Sequence, residues 1–530
     1  MTHSPEAQAS FTWSEHQNQI FNELTANPST SYIVDACAGS SKTTTLVESV
    51  NRLVHQGIAK PGSILCLAFN KKIATTLQER MPPGTTSSTL NAFGHRALGR
   101  FIPVNRLQVS QWKEANLWQN IPAYEALEKP ERKAIQTAYM QFKISGTVPA
   151  QLSWELAQAR PNFLADYLTG KKLVPLSEHS AEAVFSQRLH QESTELDPRD
   201  WHQAFREVAT LDLYLSLAEG QISFQDQLYL PALCSNVTLP TYLHVFVDEA
   251  QDLGTLEHAL VQKIVSRFPR GRLIAVGDRA QAIYAFRGAH YDSMDRLAHK
   301  FGANWLSLPV SFRCPTEVVR EAQRFDSRIQ PWDSAPTGSV SRLDSWSPAT
   351  LPRPSTVLCR VNSPLVKLGL ELIQAGIGAH FLARDFESQL HDFHSTWRKK
   401  SKILVGMFLA IEQEADSLEA SDSYKADRLR DSKACLEAIT EQYNCQSFEE
   451  LEAGIERLFN SPGPITLATI HKSKGLEWPH VLLLRPDLCP HPKAHTEEDL
   501  RQEYNMLYVA ITRAQDSFQY LEPLTEKETH

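Results

Sequence analysis

The 530-residue sequence has no run of eighteen apolar residues, so nothing in it reads as a membrane-spanning helix. Met1 to Ser10 offers neither a basic start nor an apolar middle, so no secretory signal is expected and the protein reads as intracellular, in the cytoplasm. The eight cysteines, at 37, 66, 234, 314, 359, 435, 445 and 489, form no Cys-x-x-Cys pair. That absence argues against an iron–sulfur cluster and for reduced thiols, most of them buried as small apolar side chains. Positive charge is also scarce: the formal net charge is −8, so any nucleic-acid binding requires a local groove rather than a global field. No solenoid repeat and no nuclease domain are visible. Core-forming material is plentiful, since 42% of the residues are hydrophobic, and the length implies roughly three or four domains.

Two segments carry the chemistry. The first, Asp35-Ala-Cys-Ala-Gly-Ser-Ser-Lys-Thr-Thr-Thr45, lies between an apolar run, Tyr32 to Val34, and a helical pattern from Thr43 to Val54. A short glycine-containing loop between strand and helix presents backbone N–H groups and a helix N-terminus to phosphate oxygens. Ala38, Gly39, Ser40, Ser41, Lys42, Thr43 and Thr44 are therefore the expected nucleotide contacts, with Lys42 gripping the terminal phosphates and Thr43 ligating Mg²⁺. In the second segment, the apolar run Leu243 to Val247 ends in Asp248-Glu-Ala-Gln-Asp252. Such a run fits a buried parallel strand, and α/β sheets bind ligands at the carboxyl ends of their strands. Asp248 is placed to hold the Mg²⁺ shell and Glu249 to take a proton from the attacking water. Either segment alone could be an acidic strand end or a Ser/Thr-rich loop. Together they describe an NTP-hydrolysing motor.

The rest of the chain organises around them. Ser63 to Phe69 is a second buried-strand pattern running into a helical pattern from Asn70 to Arg80, and this alternation predicts a doubly wound sheet. The fold expected is α/β, with two P-loop NTPase lobes built on parallel sheets and two mainly helical insertions. Residues 1–100 and 221–302 make the first lobe and 303–384 with 461–530 the second. Residues 101–220, rich in helix formers and broken by prolines, form one insertion, and the charged helical stretch 385–460 forms the other.

In its ordered set of at least seven motifs, nearly the whole chain resembles the UvrD/Rep-like superfamily 1 DNA helicases, closest in style to their compact F-box-helicase-like and phage-type members. The resemblance implies two RecA-like lobes, ATP and Mg²⁺ as cofactors, and single-stranded or tailed duplex DNA as partner, with 3′ to 5′ movement. It makes Gln17, in Ser14-Glu-His-Gln17, the adenine reader, an amide that can pair with both adenine edges; a polar helix start is the alternative. It makes Gln281 a γ-phosphate sensor and Arg313 and Arg513 the arginines that reach the phosphates from the second lobe, where a planar guanidinium suits departing negative charge. Phe312 would stack on adenine and Glu477 would meet the ribose. Phe69, Asn70, Thr89 and Asn91 match single-strand contacts, and Thr469 and His471 link nucleotide to nucleic acid. Tyr284, Phe286 and Arg287 form a tight aromatic and basic cluster, and aromatic faces stack bases without regard to sequence.

Ser41 departs from the family, which has glycine before the lysine. At a helix start with negative φ a small side chain fits, so reduced rather than abolished hydrolysis is expected. Two rivals follow: a nucleotide-gated DNA-binding scaffold with weakened turnover, and an RNA-directed translocase. Cys489-Pro-His-Pro-Lys-Ala-His495 invites a zinc reading but lacks a fourth ligand, and Trp397-Arg-Lys-Lys-Ser-Lys402 reads as a solvated basic face rather than a DNA contact. A protein loading partner is compatible with the sequence, which does not identify it.

Overall fold

The computed structural model describes residues 12–102, 107–127, 129–149, 173–193, 196–285, 288–382, 384–419 and 423–522. Two six-stranded sheets dominate it, and every strand pairing within them is parallel. The first comprises β1 (Tyr32–Ala36), β2 (Ile64–Ala68), β3 (Thr86–Thr89), β4 (His244–Val247), β5 (Arg272–Gly277) and β6 (Asn304–Leu308), in the order β3-β2-β4-β5-β1-β6. The second comprises β7 (Ser339–Leu343), β8 (Ser355–Cys359), β9 (His380–Phe381), β10 (Ile465–Thr469), β11 (Trp478–Leu484) and β12 (Ala514–Leu521), in the order β7-β12-β11-β8-β10-β9.

Continuous apolar runs become central strands because both sheet faces are covered. Ile33, Leu65, Val245 and Leu273 pack into one core of the first lobe, while their chain neighbours Val34, Cys66, Phe246 and Ile274 pack into another on the opposite face. The second sheet repeats the division, with Val357, Leu467 and Leu482 on one side and Leu358, Ala468 and Leu483 on the other. One of these cores crosses between the lobes: Cys37, Ala38, Ala280 and Ile283 of the first pack with Cys314, Val318 and Tyr508 of the second.

The boundary expected at residue 303 needs correction. Asn304–Leu308 pairs in register with Tyr32–Ala36 and closes the edge of the first sheet. Helices Arg384–Trp397, Leu404–Leu418, Ser423–Tyr443 and Phe448–Phe459 occupy the stretch proposed as the second insertion. Among the described residues, no helix is long and apolar enough to cross a membrane.

The first insertion holds a buried charge network. Lys143 pairs with Glu114 at 2.7 Å, Asp212 at 2.6 Å and Asp226 at 2.8 Å, and Lys113 pairs with Asp226 at 2.9 Å and also with Asp212. Tyr139 donates to Asp212 at 2.8 Å and the Ser223 N–H to Asp226 at 2.8 Å. Asp226 opens the helix Asp226–Leu233, which packs on the first lobe's Leu90–Phe101 helix, so the network joins insertion to lobe. Removing one partner of a buried charge pair costs about 3–5 kcal/mol because the other charges stay behind uncompensated. Lys143→Met is expected to destabilise the protein by about that amount, read as an earlier urea midpoint.

Candidate active site

The loop after β1 and the carboxylates after β4 come together as the sequence predicts. Thr43 donates its hydroxyl to Asp248 Oδ2 at 2.9 Å, across a sequence separation of 205 residues. The Glu249 N–H donates to Asp248 Oδ1 at 3.0 Å. A hydroxyl and a carboxylate oxygen in contact, backed by Lys42, form the oxygen-rich donor set that Mg²⁺ takes. Lys42 acts electrostatically on Asp248, Glu249, Asp252 and Asp278 alike. Burial, reinforced by Glu249, pushes Asp248 up to about 6. Burial likewise lifts Asp252 and Asp278 to about 6 against the pull of nearby lysines. Glu249 is half-buried, and against its desolvation Lys42 and Lys474, with a hydrogen bond from Gln251, hold it below its ordinary value, so it is an ionised carboxylate, the state a proton acceptor needs.

The loop's backbone corrects one expectation. Ser41 has φ 60° and ψ 38°, the left-handed region, rather than the negative φ expected of a helix start. The turn into the helix demands the geometry that glycine adopts without penalty, and a Cβ there costs about 1–2 kcal/mol. Gly39, at φ +72°, could not be replaced: a Cβ would lie 2.6 Å from both Arg313 Cβ and Ser311 Oγ of the facing segment. The Ser40 hydroxyl is buried without a hydrogen-bond partner, which is the condition of a polar atom reserved for a ligand. Thr44 accepts from Arg80 at 3.3 Å.

Gln17 is fully buried and its amide is committed within the chain. Its Oε1 accepts the Ser14 N–H at 3.0 Å in a capping box, and its Nε2 donates to Thr45 Oγ1 at 3.0 Å. Thr45 in turn donates to the Ser41 carbonyl at 3.0 Å. The structure thus gives Gln17 the helix-start role and makes it a prop for the loop.

From the second lobe, Arg313 donates to Glu477 and, at 3.0 Å, to the Thr512 carbonyl. Arg513 is buried and donates to the carbonyls of Val509 at 2.9 Å and Leu476 at 3.1 Å. Burial and then Arg313 disfavour the Arg513 charge, while Arg513 itself helps hold Glu249 ionised. Phe312 is half-buried and its N–H donates to the Gly39 carbonyl at 2.9 Å. Tyr508 accepts the Ala38 N–H at 3.0 Å. Gln281 is buried and donates to Asp278 Oδ2 at 2.7 Å.

The expected nucleic-acid residues divide. Phe69 and Tyr284 stack with centroids 5.7 Å apart and planes within 3°, and Phe69 stays 40% exposed. Asn70 and Thr89 cap helices, accepting the N–H groups of Ile73 at 2.9 Å and Ala92 at 3.2 Å. Asn91 donates to the Phe224 carbonyl at 3.2 Å, beside an aromatic ring that is 62% exposed. Thr469 ends β10 and His471 lies half-buried in the short helix that follows. Phe286 and Arg287 lie outside the described residues.

The UvrD/REP helicase N-terminal domain model matches residues 13–302, and the UvrD-like helicase C-terminal domain model matches 388–519. The chain belongs to the UvrD-like helicase family. It is similar to F-box DNA helicase protein 1 of Schizosaccharomyces pombe, 23% identical over 563 residues covering 94% of this chain and 56% of that protein. It is also similar to DNA helicase II of Escherichia coli, 23% identical over 58% of this chain and 39% of the relative. ATP-dependent DNA helicase UvrD1 of Mycobacterium tuberculosis is 25% identical over the same shares. The chain therefore spans about half the length of the relatives it matches, or less.

Lys474, Asp252, Asp278 and Tyr508 were not singled out from the sequence, although each lies inside or beside a motif that was. Lys474 donates to both oxygens of Asp252, at 2.8 and 2.7 Å, and to the Gln281 carbonyl at 2.7 Å. Its ammonium also lies 4.6 Å from the Tyr284 ring centroid. One second-lobe lysine thus touches the carboxylate segment, the backbone of Gln281 and the aromatic pair.

Replacing Ser41 by Gly should relieve the left-handed strain. Ser41→Gly is expected to raise stability by about 1 kcal/mol, and an unchanged or lower urea midpoint would contradict the backbone reading.

Proposed function

We propose that the chain is an ATP-hydrolysing DNA helicase or translocase working on single-stranded DNA and tailed duplexes, moving 3′ to 5′. The observation that carries the proposal is the contact of Thr43 with Asp248, with Lys42 amid four carboxylates and Arg313 and Arg513 arriving from the other lobe. Thr43 and Asp248 would hold Mg²⁺, and the loop N–H groups, the Ser40 hydroxyl and Lys42 would hold the phosphates of ATP. Bound Mg²⁺ supplies charge neutralisation at the phosphate oxygens. Glu249 orients the attacking water and takes its proton, and the two arginines offset the negative charge that develops at the departing phosphate.

Phe312 and Glu477 are proposed to flank the nucleoside and Gln281 to report the state of the terminal phosphate. Coupling to nucleic acid follows from Lys474, which reaches both the carboxylate segment and Tyr284. The Phe69 and Tyr284 rings supply a base-stacking face that tolerates any sequence, with Phe286, Arg287, Thr89, Asn91, Thr469 and His471 proposed along the same path. The lobe division remains a proposal, with the first lobe extended to Leu308 because Asn304–Leu308 pairs with Tyr32–Ala36. A protein acting on DNA in this way is proposed to work inside the cell.

Steady-state ATP hydrolysis with and without single-stranded DNA tests this reading. Stimulation by DNA is expected, with a loss of at least about a hundredfold in Lys42→Ala. Tyr284→Ala should keep the DNA-free rate and lose most of the stimulation. A Lys42→Ala rate equal to wild type would sink the proposal. Stronger stimulation by poly-uridine RNA than by the matching DNA would redirect it to RNA, and unwinding of 5′-tailed but not 3′-tailed duplexes would reverse the polarity.

A further inference from the structure

The second insertion carries an apolar surface that neither the nucleotide site nor the aromatic pair uses. Its helix Leu404–Leu418 begins without a side-chain cap, and the residue at the N-cap is Ile403. Ile403 is 65% exposed, Val405 66% and Leu409 59%, and Phe408 beside them is half-buried. Val405 and Leu409 are four residues apart, so they stand one above the other on the same helix face. With Ile403 just ahead of them at the N-cap, three large aliphatic side chains this exposed lie within seven residues of chain, denser than the single apolar residues scattered over any surface.

Charge borders the patch on two sides with opposite sign. Just before it, Arg398 faces Glu449 and Glu452, and Lys400 faces Glu414, whereas Lys399 and Lys402 are exposed and enter no described ion pair. The uncapped N–H groups of the first helical turn add partial positive charge at the same end. Further along the helix, Glu412 and Asp416 hold Arg430 at 3.0 and 2.8 Å. An extended anionic surface, whether phosphate backbone or lipid headgroups, would gain at Lys399 and Lys402 and lose at Glu412 and Asp416. Aliphatic side chains also give bases nothing to stack on. A ligand of helix width, apolar along one row and acidic at one end, satisfies every part of the patch.

We propose that Ile403, Val405 and Leu409, with Lys399 and Lys402, form a docking surface for an amphipathic helix of another protein, one that sets acidic side chains beside its apolar row. The Trp397 to Lys402 segment, read from the sequence as a solvated basic face, becomes the charged rim of that surface.

The test uses the full chain and a fluorescein-labelled synthetic helix of about eighteen residues, with leucines on one face and glutamates flanking them, alongside the same peptide with lysines for glutamates. The acidic peptide is expected to bind wild type. Its affinity should fall about tenfold in Leu409→Asp, the loss of one central apolar contact, and comparably in the double variant Lys399→Glu, Lys402→Glu. The double variant should prefer the lysine peptide. Far-ultraviolet circular dichroism and DNA-stimulated ATP hydrolysis should be unchanged in both variants, because none of these residues belongs to the proposed machinery. Absence of binding by the acidic peptide, or equal binding of both peptides to all three proteins, would overturn the proposal. So would binding to phosphatidylserine vesicles or blunt duplex DNA that the same substitutions abolish, which would assign the patch to a membrane or to DNA.

Discussion

Four carboxylates, the buried Asp248, Asp252 and Asp278 and the half-buried Glu249, share one small region of the first lobe, and that concentration of negative charge is the constraint on which the site depends. Carboxylates out of water need cations within reach. Lys42 serves all four from the phosphate loop, but Asp252 obtains its direct partner from the other lobe, through Lys474. The pair is almost dry, with side-chain exposures of 6% and 1%. The first lobe is therefore electrostatically incomplete alone, and the second is held to it by a charge as well as by the apolar seam around Cys314 and Tyr508.

That arrangement explains how one residue can serve two neighbours. Lys474 binds Asp252 and the Gln281 carbonyl while its ammonium rests near the Tyr284 ring, which stacks on Phe69. A shift of Lys474 relative to Asp252 changes what lies against the aromatic pair. Coupling between the two faces then needs no long relay, since a single side chain with alternative partners suffices. Asn505 strengthens the same seam by donating to the carbonyls of Arg279 at 3.2 Å and Ala282 at 2.9 Å.

The central strands were legible in the sequence because strands buried on both faces read as unbroken apolar runs, as Ile64–Ala68 and His244–Val247 do. The edge strand Asn304–Leu308 was not: Asn304, Trp305 and Ser307 are exposed, and a strand with one open face and one open edge leaves no such run. The contact of Thr43 with Asp248 was foreseeable from chemistry, since both residues suit one cation. The sign of the Ser41 φ was not, because a serine does not announce a left-handed turn. Gln17 illustrates a limit of motif reasoning: the amide suited to reading a base is equally suited to a capping box, and only the position of Ser14 and Thr45 shows which bonds it makes. The partnership of Lys474 with Asp252 spans 222 residues, and nothing local to either residue encodes it.

The strand that the sequence misassigned also limits how the two lobes can move. Leu308 is fixed beside Ala36, and its carbonyl accepts the Cys37 N–H at 3.0 Å. Arg313 follows five residues later, a tether of at most about 17 Å when fully extended. The guanidinium offered by the second lobe is therefore leashed to the strand next to the phosphate loop. Any separation of the lobes leaves the Arg313 backbone within that tether of the strand beside the phosphate loop.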